Sequence, residues 1–279
     1  MFAKLLKHEF RSVKGILSGL SVAALGAGAL GALMIWLLIS QIEQLQLTDS
    51  INGTVMVAAV ILFFGIYLAL LAYAIAGPII LYLRFYRNKF TDEGYLTFTL
   101  PVNTHQVLLS SILNLFIWET IVSVVLILSL AIMLSPLFIF AYNYGVFNEA
   151  FMEGFQLAWN EVMTLYGAGS IASQIFSSIC SLAYGLVMPL LSITIGSLIA
   201  KKHKILASIG IFYGISMAVS TISSIFSMTS MLSSMVLSGG NIDSIMSETI
   251  VAPSVLMLII GVGGYFLMHY LVKKKLNLP

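Results

Sequence analysis

The sequence predicts an all-α integral membrane protein with six transmembrane helices and both termini on the cytoplasmic side. Three observations predict it. Of the 279 residues, 59% are hydrophobic and only 9% charged, against about 25% charged in a soluble domain. The apolar residues gather into six stretches, each long enough for the roughly 20 residues that a spanning helix needs. The basic residues fall on one side of the membrane those stretches define. A mean hydropathy of +1.03 leaves too few polar groups to cover a surface in water, whereas lipid calls for an apolar exterior. The net charge of +2 constrains little, and no nucleic-acid partner is expected.

The chain reads as a single transmembrane domain over 1–279, with spans at about 16–40, 55–82, 107–140, 169–200, 205–228 and 250–272. Residues 1–14 come first. Phe2, Leu5, Leu6, Phe10 and Val13 recur at helical spacing, and Lys4, Lys7, Arg11 and Lys14 take the other side. This is a basic amphipathic helix suited to the anionic cytoplasmic interface. The same charges also serve as a plain topology signal. The stretch from Gly15 is long for a signal-peptide core and reads as a retained span. Between spans three and four, Phe147, Phe151, Phe155, Trp159, Met163 and Tyr166 fall near every fourth position, with Glu149, Glu153, Gln156 and Asn160 opposite. The spacing predicts an amphipathic outer helix on or in the membrane surface, as a cap or a lid. Residues 229–249, rich in Ser and Met, suit a short re-entrant or interfacial helix pair. Pro78, Pro136, Pro189 and Pro253 lie in spans and predict kinks. Gly15/Gly19 and Gly210/Gly214 have the small-xxx-small spacing of close helix packing.

Charge orients these spans. The thirteen basic residues form four clusters: Lys4 to Lys14; Arg84, Arg87 and Lys89; Lys201, Lys202 and Lys204; and Lys273 to Lys275. With six spans, all four lie on one side. The loops on the other side hold Glu43, Asp49, Glu149, Glu153, Glu161, Asp243 and Glu248 and no Lys or Arg. Short cytoplasmic loops carry the excess of Lys and Arg, so the basic side is the inner one. One span more or fewer would scramble the split.

Several chemistries are excluded. No lysine follows a glycine, so the chain has no phosphate-binding loop of the Gly-Lys-Ser/Thr kind. His8-Glu9 is not continued into a zinc-protease motif, and His8, His105, His203 and His269 sit near the inner ends of different helices. No metal site and no catalytic set is expected, and the lone Cys180 can make no intrachain disulfide. Asn52-Gly53-Thr54 matches the glycosylation sequon by chance in a turn. One ionisable residue stands inside a span. Glu119 either belongs to a substrate or ion path or lies within reach of an inner Lys or Arg; an unpaired carboxylate in hydrocarbon costs several kcal/mol.

The inner segment 84–106 carries the most information. It mixes charges of both signs with Phe85, Tyr86, Phe90, Tyr95 and Phe98. A mere connector would be short and polar, and exposed aromatics suit a soluble partner. The run Glu93-Gly94-Tyr95 to Leu100-Pro101-Val102, then a polar turn and His105-Gln106, resembles the permease subunits of bacterial type 2 ABC exporters. Leu5-Leu6-Lys7-His8-Glu9-Phe10 is similar to their N-terminal interfacial helix, and the span count matches.

The resemblance implies a transporter subunit rather than an enzyme, in a bacterial plasma membrane. Two permease subunits pair, as a homodimer or with a related chain. Each docks a separate ATPase subunit, which binds ATP and Mg, through a coupling helix in the loop between spans two and three; this chain binds no cofactor itself. Arg87, Phe90, Asp92, Glu93, Gly94 and Tyr95 fall in that helix. The substrate is hydrophobic or amphipathic: a peptide, drug or lipid-like molecule. The alternatives are an ion-coupled carrier using Glu119, or a non-catalytic membrane scaffold.

Overall fold

The computed structural model describes residues 2–48, 53–91, 94, 103–165, 167–200, 202–237 and 242–275. Seven helices account for nearly all of them: α1 (Phe2–Thr48), α2 (Gly53–Phe90), α3 (Thr104–Asn143), α4 (Glu149–Leu165), α5 (Ala168–Ile199), α6 (Lys204–Leu237) and α7 (Ile242–Lys275). No strand occurs among the described residues. All except α4 are long and apolar enough to cross a membrane, as a multi-pass membrane protein requires.

Two features of the helices differ from expectation. α1 runs unbroken for 47 residues, roughly 70 Å at the α-helical rise and far beyond a hydrocarbon core of about 30 Å. Residues 2–14 are thus its opening turns rather than a separate helix. No proline interrupts the passage into the span, and side chains support it: Glu9, Val13 and Leu17 form a buried line on α1. Likewise, the described residues of 229–249 form no separate short helices but belong to two long ones. α6 continues to Leu237 and α7 starts at Ile242. The polar side chains there are absorbed by their own helices. The Thr229, Ser230 and Ser234 hydroxyls donate to carbonyls three or four residues back, and Thr249 donates to Ile245. α2, α3, α5 and α7 continue through Pro78, Pro136, Pro189 and Pro253.

The helices form two compact units. One comprises Met1–Phe2, Tyr82–Ile112 and Phe155–Pro279; the other comprises Ala3–Leu81 and Leu113–Gly154. α2 and α3 thus contribute their bodies to the second unit, while the ends flanking residues 91–103 belong to the first, with α5, α6 and α7.

In the second unit, Ala24, Ile35 and Ile39 of α1, Leu70 and Tyr73 of α2 and Val122 and Met133 of α3 form the core. A hydrogen bond of 3.0 Å joins the Ser21 and Tyr73 hydroxyls across α1 and α2. Gly28 sets the approach of α1 to α3: a Cβ there would stand 2.6 Å from the Ser129 carbonyl oxygen. Small residues allow such approach where lipid supplies no hydrophobic force between helices. In the first unit, α5 is central. Leu190, Ser192 and Thr194 of α5 and Met268 of α7 are almost fully enclosed, and Cys180 is buried as a free thiol. The anticipated packing glycines Gly15, Gly19, Gly210 and Gly214 have no neighbour within 4 Å. They lie on exposed faces, while Gly28, Gly31, Gly77, Gly196 and Gly261 make the contacts.

Candidate functional site

The end of α2 begins the candidate coupling segment. Arg87 and Lys89 stand in its last turn, where cations complement the helix dipole. Three aromatic rings brace that turn. Phe85 and Phe90 meet edge to face at 5.9 Å, and Tyr86 stacks on Phe90 at 6.4 Å. Phe85, Lys89 and Phe90 are buried and Arg87 is exposed. The expectation of exposed aromatics therefore fails at Phe85 and Phe90. Their rings pack on one another and hold the helix end together.

At Gly94 the chain turns against the end of α2. The Thr91 hydroxyl donates to the Arg87 carbonyl, and the Gly94 N–H donates to the Thr91 carbonyl at 2.7 Å. A Cβ on Gly94 would lie 2.6 Å from the Lys89 carbonyl oxygen, so only glycine fits over the helix terminus. Asp92, Glu93 and Tyr95, and the Leu100-Pro101-Val102 turn, lie outside the described residues. The chain enters α3 through Asn103. Its carbonyl accepts from the Gln106 N–H at 2.8 Å, and its side-chain oxygen accepts from the His105 N–H at 3.4 Å, the geometry of a helix N-cap.

One cluster escaped the sequence reading. The His105 and His269 rings stack 3.6 Å apart, tilted by 13°. His105 Nδ1 lies 3.0 Å from the Tyr265 hydroxyl. The first turn of α3 is thereby fastened to the end of α7, within the unit that also holds the end of α2. Both histidines were noticed as inner-end residues, but no spacing in the sequence pairs positions 164 apart. No group of three or more His, Cys, Asp or Glu that could hold a metal occurs among the described residues.

The N-terminal positions are divided as their periodicity implies. Lys4, Lys7 and Arg11 are exposed, and Phe10 is half-buried. Phe10 stacks on Trp118 of α3 at 4.8 Å. This apolar side thus faces protein at Phe10 rather than entering lipid. Glu119 follows Trp118 directly. It is half-buried and has an interaction partner. Beside it, Trp118 Nε1 and Asn114 Oδ1 are buried without a hydrogen bond among the described residues. They lie one helical turn apart, so α3 carries a polar patch facing into its unit.

No family model, no curated protein and no solved structure matches this chain.

Proposed function

We propose that the chain is the transmembrane permease subunit of an ATP-driven ABC exporter, with both termini cytoplasmic and the 84–106 segment docking a separate ATPase subunit. One observation supports it above the rest. The two helix ends that bracket this segment cluster with α5–α7, not with the bodies of their own helices. A push on the segment would thus act directly on the last three spans. The features around it fit the role. Phe85, Tyr86 and Phe90 stiffen the end of α2, and His105, Tyr265 and His269 tie the start of α3 to α7. Arg87 is exposed in the last turn of α2, where it can reach a partner. The substrate is a hydrophobic or amphipathic molecule that enters from the bilayer. With no phosphate-binding loop of its own, the chain depends on the partner for ATP and Mg.

Co-purification in detergent with candidate ATPase subunits tests the reading. Arg87→Glu should weaken their association by roughly tenfold or more, the cost of losing one central interface arginine, without changing the elution volume of the chain alone. Undiminished association in Arg87→Glu, or no ATPase bound by wild type, would remove the coupling assignment. A second reading, an ion-coupled carrier, draws on Glu119 beside the unsatisfied Asn114 and Trp118. ATP-independent transport abolished by Glu119→Gln would favour it.

A further inference from the structure

The last turns of α2 and the turn between α5 and α6 enclose an open cavity of about 360 Å³. Tyr86, Lys202, His203 and Lys204 form its polar wall, and Ile205, Leu206 and Ile209 its apolar wall. All belong to one unit. Among the described residues no acidic side chain lines it, and none occurs in the chain between Glu161 and Asp243. The lysines and the histidine thus face a shared space whose described wall is free of carboxylates. Lys202 and His203 are exposed, and Lys204 is half-buried. Tyr86 is held in place by its stacking on Phe90.

The apolar wall does not end at the cavity. Leu206, Ile209, Tyr213 and Met217 are 68%, 48%, 64% and 72% exposed. Spaced three or four residues apart, they share one face of α6. This face runs from the cavity along a helix apolar enough to cross the membrane. The site is cationic at its mouth and continues into a lipid-facing strip.

We propose that this cavity binds the phosphate headgroup of an anionic phospholipid, with an acyl chain laid along the Leu206–Met217 strip. Lysine ammoniums bind phosphate as point charges, and the Tyr86 hydroxyl supplies a directed donor. Basic pockets between membrane helices hold anionic headgroups in this way. The volume falls in the range of about 300–1,000 Å³ typical of small-molecule sites. A free phosphate would have no use for the apolar strip, which is why a lipid is the occupant. The proposal requires only that the α5–α6 turn lies at a membrane edge, and it stands or falls apart from the coupling reading.

The test is native mass spectrometry of the full-length chain, delipidated in detergent and titrated with phosphatidylglycerol, with phosphatidylcholine of the same chains, and with inorganic phosphate. At about fivefold per lysine near an anionic group, Lys202→Gln/Lys204→Gln should bind phosphatidylglycerol roughly 25-fold more weakly than wild type. Lys273→Gln/Lys274→Gln, which removes two exposed charges from another basic cluster, should match wild type. Phosphatidylcholine and inorganic phosphate should bind wild type more weakly than phosphatidylglycerol does. Equal phosphatidylglycerol affinity in wild type and the Lys202/Lys204 variant would overturn the proposal. So would an equal loss in the Lys273/Lys274 variant, the mark of diffuse attraction. Inorganic phosphate binding as tightly as the lipid would reduce the site to an anion site and also overturn it. If the double variant does not fold, Lys202→Gln alone carries the test, with an expected loss of about fivefold.

Discussion

α4 and α5 are neighbours in sequence and opposites in environment. Every described side chain of α4 from Glu149 to Thr164 is exposed, although Phe151, Phe155 and Trp159 give it an apolar face. Between Leu186 and Ser197, α5 has no exposed side chain. α5 is the more apolar of the two and long enough to span, but apolarity alone does not make helix contacts, as the exposed Phe155 and Trp159 of α4 show. What α5 has in addition is small residues at its contacts: Ser192 and Thr194 are enclosed, and Gly196 lies directly against Ser208 of α6. Lipid is as apolar as leucine, so a large side chain gains little by leaving it for another helix. Close approach of backbones gains dispersion contacts that lipid cannot match. An apolar stripe therefore marks a surface for lipid or interface as readily as a packing surface.

Three substitutions probe this difference. The largest effect is expected for Leu190→Ala, in the enclosed half of α5. A cavity there should cost about 2–5 kcal/mol, seen as a lowered melting temperature in detergent. A melting curve that overlays wild type would mean that α5 is not packed as described. Next comes Gly196→Ala. Its Cβ would lie 2.6 Å from the Ser208 backbone nitrogen, and such overpacking should cost about 1–3 kcal/mol. Because backbone is in the way, Ser208→Gly should not restore the wild-type melting point in full; complete rescue would place the clash on the hydroxyl alone. The smallest effect is expected for Phe155→Ala on α4, within about 0.5 kcal/mol of wild type in the same assay. A loss as large as that of Leu190→Ala would mean that α4 has a protein partner, and the contrast between the two helices would collapse.

The sequence made the six spans legible because length and apolarity are properties of each segment alone. The amphipathic period of α4 was legible for the same reason. Contacts between segments were not. Gly15/Gly19 and Gly28 look alike in sequence, yet only Gly28 meets another helix, because the facing surface is set by how α1 is rotated against α3. Phe90 is an aromatic beside a helix end in the sequence, but its burial against Phe85 and Tyr86 is a matter of tertiary packing. The His105–His269 stack joins two ends that only the tertiary arrangement brings together. The serine-rich 229–249 stretch resembled a loop because its polarity was counted without the backbone bonds that satisfy it. Of the candidate coupling residues, Arg87 is exposed while Phe90 and Gly94 are buried, a difference that residue type alone does not give.

The division of the chain into two units carries a mechanical consequence. The chain passes between them at residues 2/3, 81/82, 112/113 and 154/155. Each of these positions lies inside a helix, in α1, α2, α3 and α4 respectively. No flexible linker is available at any crossing. The chain thus passes from one unit to the other through continuous helix rather than loop. Pro78 stands three residues before the crossing in α2. It has no N–H to offer the Ala74 carbonyl, so the helix is one rung short at that point. That missing rung leaves α2 locally easier to bend just before its crossing.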